Sequence, residues 1–248
     1  MRAPAAGARI SALGSRSGMP DGQASHGGNW RAVLAAVGAA SAIGLLAAPT
    51  LREAEAGIVA GLGNWKESER DWLSAAQYYD RAAQSQPDDP EYRVHTGRMF
   101  MERARIEFSP TARREYLRLA ILAFDQARRK SPLDGRYVRL LAQTQHLSAQ
   151  LASAEDRQRH LDAAERLYRE AVAITPRSPS LWEEWGVFAA ARGEHDQALS
   201  RLNTSISLDD HVATAFAQRA AVETQLGADA QADVDRRRAR ELGALSPR

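Results

Sequence analysis

Six histidines stand at positions 26, 95, 146, 160, 195 and 211 of this 248-residue chain. No two are four residues apart, the separation that puts two imidazoles on one helical face around a metal ion. There is no cysteine, so disulfides, thiolate nucleophiles and cysteine-based zinc sites are ruled out together. Serines are present without the G-x-S-x-G turn that raises a nucleophile, and no glycine-rich loop is available to cradle phosphate. Glu183-Glu184 and Asp209-Asp210 are carboxylate pairs in sequence only. Adjacent residues of a helix diverge by about 100°, so both pairs read as solvated or capping charge. The residues imply no metal, no cofactor and no catalytic group, hence a chain that is not an enzyme.

Arg236-Arg237-Arg238 with Arg240 is the one basic run. On a helix Asp233 reaches Arg236 or Arg237, and Asp235 reaches Arg238, which neutralises much of it. A solvated terminal helix fits these residues better than a nucleic-acid or anionic-lipid patch. The formal charge of +2 gives no general argument for nucleic acid either. Trp182 and Trp185 offer aromatic faces, but they recur with Leu181, Phe188 and Ala189 at helical spacing, which assigns them to a core.

The elements that would position these groups are helices throughout, with no strand-like alternation. Pro179–Val212 holds two helical periods separated by Gly193. A helix pair this short cannot bury both faces alone and needs copies stacked against it. A second-helix pattern recurs as Ala75, Tyr79, Ala82, Pro87, then Ala120, Phe124, Ala127, Pro132, then Ala164, Tyr168, Ala171, Pro176. It returns weakly as Ala232 and Ala239. The closing residues Pro87, Pro132, Pro176 and Asp210 lie 45, 44 and 34 residues apart. Asp89-Pro90, Ser109-Pro110 and Ser178-Pro179 supply cap and first-turn residues, and Ser153-x-x-Asp156 has the form of a capping box.

Residues 1–29, rich in Gly, Ala, Ser and Arg, read as disordered. Residues 30–51 follow as an apolar segment, with Ala32–Leu51 forming 20 residues without a charge. At about 1.5 Å per residue this run crosses a hydrocarbon core of roughly 30 Å. Val33, Leu34, Val37, Ile43, Leu45 and Leu46 favour insertion by about 0.3–0.6 kcal/mol each, opposed by Gly38, Ser41, Gly44 and Pro49. An uncleaved single-pass anchor is the favoured reading. A signal peptide cut near Ala54-Glu55-Ala56 and a buried alanine-rich helix are the alternatives. Arg2, Arg9, Arg16 and Arg31 precede the run and favour a cytoplasmic amino terminus, which puts residues 52–245 outside the cytoplasm.

The pattern Trp182, Trp185-Gly186, Gly193, Ala198, Leu202 and Ser205, repeated upstream in phase, resembles the tetratricopeptide repeat. The resemblance implies an all-α solenoid of about five helix pairs over residues 52–245. Only the last step has the family's 34-residue length, so the second and third pairs carry insertions of about ten residues. It also implies a non-catalytic scaffold for protein–protein interaction in the bacterial envelope. In that family the first helix of each pair lines the groove, which carries over to Glu91, Val94, Arg98 and Met101, then Arg136, Arg139, Gln143 and His146, then Glu183 and Val187. The partner-binding residues so implied are Arg98, Arg136, Arg139, Gln143, His146 and Glu183. Clustered guanidinium groups there would hold an acidic peptide segment or an anionic glycan. Trp72–Ala83 after an apolar span, with the later SPSLWEEWG and GEHDQAL, also resembles the soluble tail of bacterial O-antigen ligase or polymerase membrane proteins. That second resemblance implies a truncated or split carboxy-terminal piece of such a protein and an inner-membrane, periplasm-facing location.

Overall fold

The computed structural model describes residues 50–245, and the apolar run 32–51 falls almost wholly outside them. Among the described residues every regular element is a helix, and none is long and apolar enough to cross a membrane. The helices are α1 (residues 50–68), α2 (Trp72–Ser85), α3 (Glu91–Ile106), α4 (Pro110–Lys130) and α5 (Gly135–Leu151). They continue as α6 (Ala154–Ile174), α7 (Pro179–Ala191), α8 (His195–Leu208), α9 (Ala213–Gln225) and α10 (Asp229–Leu245). Consecutive helices pack as pairs, and each second helix packs on the first helix of the next pair. First helices also meet directly, α5 with α7 and α7 with α9. The result is a tetratricopeptide-repeat-like solenoid.

The recurring second-helix pattern is the packing code. Ala75, Tyr79, Ala82, Ala120, Phe124, Ala127, Ala164, Tyr168, Ala171, Ala198, Leu202 and Ser205 are all buried. In three pairs the large residue of this set presses directly on a glycine of the first helix. A Cβ at Gly63 would lie 2.7 Å from the Tyr79 ring, one at Gly97 2.4 Å from the Phe124 ring, and one at Gly186 2.8 Å from Leu202. Close helix approach therefore depends on glycine at these three places. Gly193 serves a different end, since its φ of 75° lets the chain leave α7 and re-enter at α8.

The extra length of the second and third pairs lies in the helices themselves. α4 and α6 have 21 residues each, against 14 in α8. Ser109 caps α4 by accepting the Ala112 N–H, and Ser153 caps α6 by accepting that of Asp156. The Ser153 hydroxyl also donates to the Asp156 carboxylate at 3.2 Å. At the carboxy-terminal end Asp235 does not pair with Arg238. It is buried and accepts two hydrogen bonds from Arg219, fixing α10 to α9, while Arg236 does meet Asp233. A solvated face would not have needed that internal carboxylate, which anchors the last helix.

Candidate functional site

The face shared by α3, α5 and α7 carries the residues expected to meet a partner. A cleft of about 220 Å³ opens there, lined by Arg105 of α3, Gln143, His146 and Leu147 of α5, and Glu183, Glu184 and Val187 of α7. Tyr168 of α6 reaches into it from behind. Of the six expected residues, Gln143, His146 and Glu183 therefore share one cleft. A second cleft of about 590 Å³ continues past His146 toward Gln150, Arg157 and Arg192. Gln143, His146 and Gln150 lie three and four residues apart, which places them on one stripe of α5.

The three arginines have other surroundings. Arg136 donates to Asp134 at 2.7 Å and to Glu91 at 2.9 Å, and its guanidinium lies over the Tyr137 ring. The hydrogen bond from Arg136 holds the Asp134 carboxyl below its ordinary value. Arg139 donates to the Ser180 hydroxyl at 3.1 Å and stands 3.8 Å from Glu184. Arg98 is exposed and forms no hydrogen bond or ion pair among the described residues. The arginines thus do not form a common cationic cluster at the cleft: one is saturated by acids, one is engaged across the pair boundary, and one is free.

Glu184 is the residue that sequence reasoning left out of the site. Its side chain is only 27% exposed, and burial raises its carboxyl above the ordinary glutamate value, with Arg139 and a Gln143 hydrogen bond opposing. Its Oε2 is sealed from solvent without a hydrogen bond, as is Arg139 Nε. At 3.8 Å the two attract but do not bond. Tyr168 is buried, with its hydroxyl raised by burial and then by the charge of Glu184. Burial also lowers His146, whose ring meets Phe188 edge-on at 5.1 Å, so it stays a neutral imidazole near pH 7. The one sequence signal for Glu184 was its place beside Trp185 on α7, where a helix too crowded for a solvated face leaves it half-buried.

Trp185 and Trp182 take unequal roles. Trp185 is 9% exposed, and its indole N–H donates to Glu165 of α6 at 3.0 Å. Trp182 is only partly buried, and it ties the α6–α7 turn by donating to the Pro176 carbonyl at 2.8 Å. Among the described residues one group gathers metal-ligand atoms, Asp209, Asp210 and His211. It is fully on the surface, where His211 Nδ1 lies 2.7 Å from Asp210.

Stacked antiparallel helix pairs with a lined first-helix face define a tetratricopeptide-repeat-like fold. The tetratricopeptide-repeat profile matches residues 146–188, from the last turns of α5 through α6 to most of α7. Among solved structures the chain is similar to a MamA structure from Desulfovibrio magneticus RS-1, at 12% identity and a TM-score of 0.60, covering 78% of this chain and 97% of that one. It is also similar to TTC0263, a thermophilic tetratricopeptide-repeat protein of Thermus thermophilus, at 19% identity and a TM-score of 0.59 over 75% and 91% of the two chains. YrrB, described as a tetratricopeptide-repeat protein with an unusual peptide-binding site, is similar at 16% identity and a TM-score of 0.50, over 74% and 84%. No curated protein matches the sequence. The resemblance to polysaccharide ligase tails receives no support from these comparisons.

Proposed function

We propose that the chain is a non-catalytic scaffold whose α5–α7 face binds an extended segment of a protein partner. The observation that carries this reading is the convergence of α3, α5 and α7 on one cleft whose polar lining is incompletely satisfied. Polar groups left without hydrogen bonds cost free energy, and an interface that supplies partners recovers it. The stripe from Gln143 to Gln150 spans about 10 Å at helical rise, the reach of about three residues of extended peptide. An acidic segment or anionic glycan, which an arginine cluster would select, meets only separate guanidinium groups without an acid partner among the described residues, Arg98 on α3 and Arg157 at the second cleft. A peptide seated along the clefts has far more of the surface available to it. The experiment is a random peptide library selected on the full-length protein. Val187→Arg, which fills the cleft from α7, should weaken the selected peptides at least about tenfold, the effect of roughly 1.4 kcal/mol. Leu122→Arg on α4 should leave them unchanged. Equal binding by both variants would remove the function from this face.

The scaffold is inferred to hang from the bacterial inner membrane by residues 32–51, with its repeats on the periplasmic side. The uncharged run and the arginines before it support this. So does α1, which follows directly and keeps Leu51, Ile58, Leu62 and Trp65 exposed. A reporter active only outside the cytoplasm, fused after Arg248, should be active while the amino terminus stays on the mature protein. Loss of about the first 56 residues would establish cleavage instead, and an intact chain in the cytosol would refute the tether.

A further inference from the structure

We infer that the smaller cleft is a subsite for a lysine side chain of the bound segment, its ammonium received by Glu183, Glu184 and Tyr168. The inference rests on the peptide-binding reading of the α5–α7 face and names the chemistry of its anchor. The charges facing the cleft are those of Glu183 and Glu184 on α7, Arg105 and its partner Glu102 on α3, and Arg139 on α5. Arg105 is spent on Glu102 at 2.8 Å. Arg139 is the one cation left for two carboxylates, and it fails to reach hydrogen-bond distance of Glu184. Glu183 forms no ion pair among the described residues. His146 contributes no charge. One negative charge therefore remains uncompensated in a partly desolvated site, where a cation is held more strongly than in water.

The second observation is independent of the acids. Tyr168 is 1% exposed, lines the cleft, and has no hydrogen-bond partner for its hydroxyl among the described residues. A buried phenol is ordinarily hydrogen-bonded, whereas the oxygen of this one, not among the atoms sealed from solvent, reaches the cleft without a protein partner. An ammonium carries three N–H donors and no acceptor. It can donate to the Glu183 carboxylate, to the Tyr168 oxygen, and to the Glu184 oxygen turned away from Arg139. Its methylene stem would run along Leu147 and Val187, which line the same cleft. An acidic side chain would meet two carboxylates instead.

The test uses peptides selected on the full-length protein whose binding is lost in Val187→Arg. Lysine should be enriched at one position of these peptides. Replacing it by norleucine, which keeps the stem and removes the charge, should weaken binding to the native protein roughly 10- to 100-fold. The same replacement should cost little against Glu183→Gln/Glu184→Gln, and less than on the native protein against Tyr168→Phe. Both changes are nearly isosteric, and unchanged helical content verifies that each variant folds. Peptides that need the face but are indifferent to the lysine, or that carry an acid in its place, would overturn the subsite and leave the scaffold reading standing. Failure to select any peptide sensitive to Val187→Arg would overturn both.

Discussion

Trp185→Ala is expected to destabilise the protein by about 3–5 kcal/mol, as deletion of a large buried aromatic does. The indole packs with Val138, Ala142, Leu181 and Phe188 in the cluster joining the third and fourth pairs. Its N–H satisfies Glu165, and the Arg201 guanidinium lies 3.9 Å above its ring. Truncation would open a cavity and strip both polar groups of a neighbour. In a chain this size about 1 kcal/mol corresponds to roughly 2–4 °C, so the thermal midpoint should fall by roughly 6–20 °C. Because stability in a repeat array is a sum of nearest-neighbour terms, hydrogen exchange should accelerate most in α7–α10. Trp182→Ala should cost clearly less, since that ring is partly exposed. An unchanged midpoint accompanied by loss of peptide binding would mean that Trp185 belongs to the binding surface and not to the core.

Glu165→Ala is expected to cost a similar 3–5 kcal/mol through charge and not volume. Glu165 of α6 and Arg201 of α8 lie 3.2 Å apart, with side chains 18% and 9% exposed. Arg201 also donates to the Trp185 carbonyl at 3.3 Å and to Gln197 at 2.6 Å, so α6, α7 and α8 are joined through one guanidinium. Burial lowers the Arg201 pKa from its ordinary value, and the charge of Glu165, then that of Glu194, opposes this. Removing Glu165 leaves that cation buried and underpaired. Replacing both partners, Glu165→Leu with Arg201→Met, should recover most of the loss, because a buried pair contributes little net stability over well-packed apolar groups. Urea denaturation of the two variants checks this. A double variant no more stable than Glu165→Ala would assign the cost to packing alone.

The helices were legible because their boundaries are written in local chemistry. Serine and aspartate caps, Pro110 and Pro179 in first turns, and Gly193 past a helix end act within a few residues of themselves. Ala75, Ala120, Ala164 and Ala198 fall at one buried position of successive second helices, so their period in the sequence is the period of the stacking. The 21-residue α4 and α6 account for the longer steps between closing residues. The side-chain pairing on the first-helix face was not legible. Arg136 and Arg139 stand three residues apart, and spacing alone makes them a cationic pair. Glu91 reaches Arg136 from 45 residues earlier, and Ser180 engages Arg139 from 41 residues later. Such partners depend on how far one helix pair is rotated against the next, which no local pattern records. Glu184 was obscured for the same reason. Beside Glu183 it reads as solvated charge, yet packing of α7 against α5 and α6 brings both carboxylates to one cleft.

The central claim is that the face of α5 and α7 receives the partner, and site-directed photocrosslinking tests it most directly. A benzophenone amino acid is placed in the full-length chain at Val187, which lines the cleft, or at Leu122, an exposed residue of α4. With a peptide selected on the native protein, crosslinked product should form from position 187, compete away with excess unlabelled peptide, and remain at background from position 122. Equal yields from the two positions, or product from position 122 alone, would contradict the assignment.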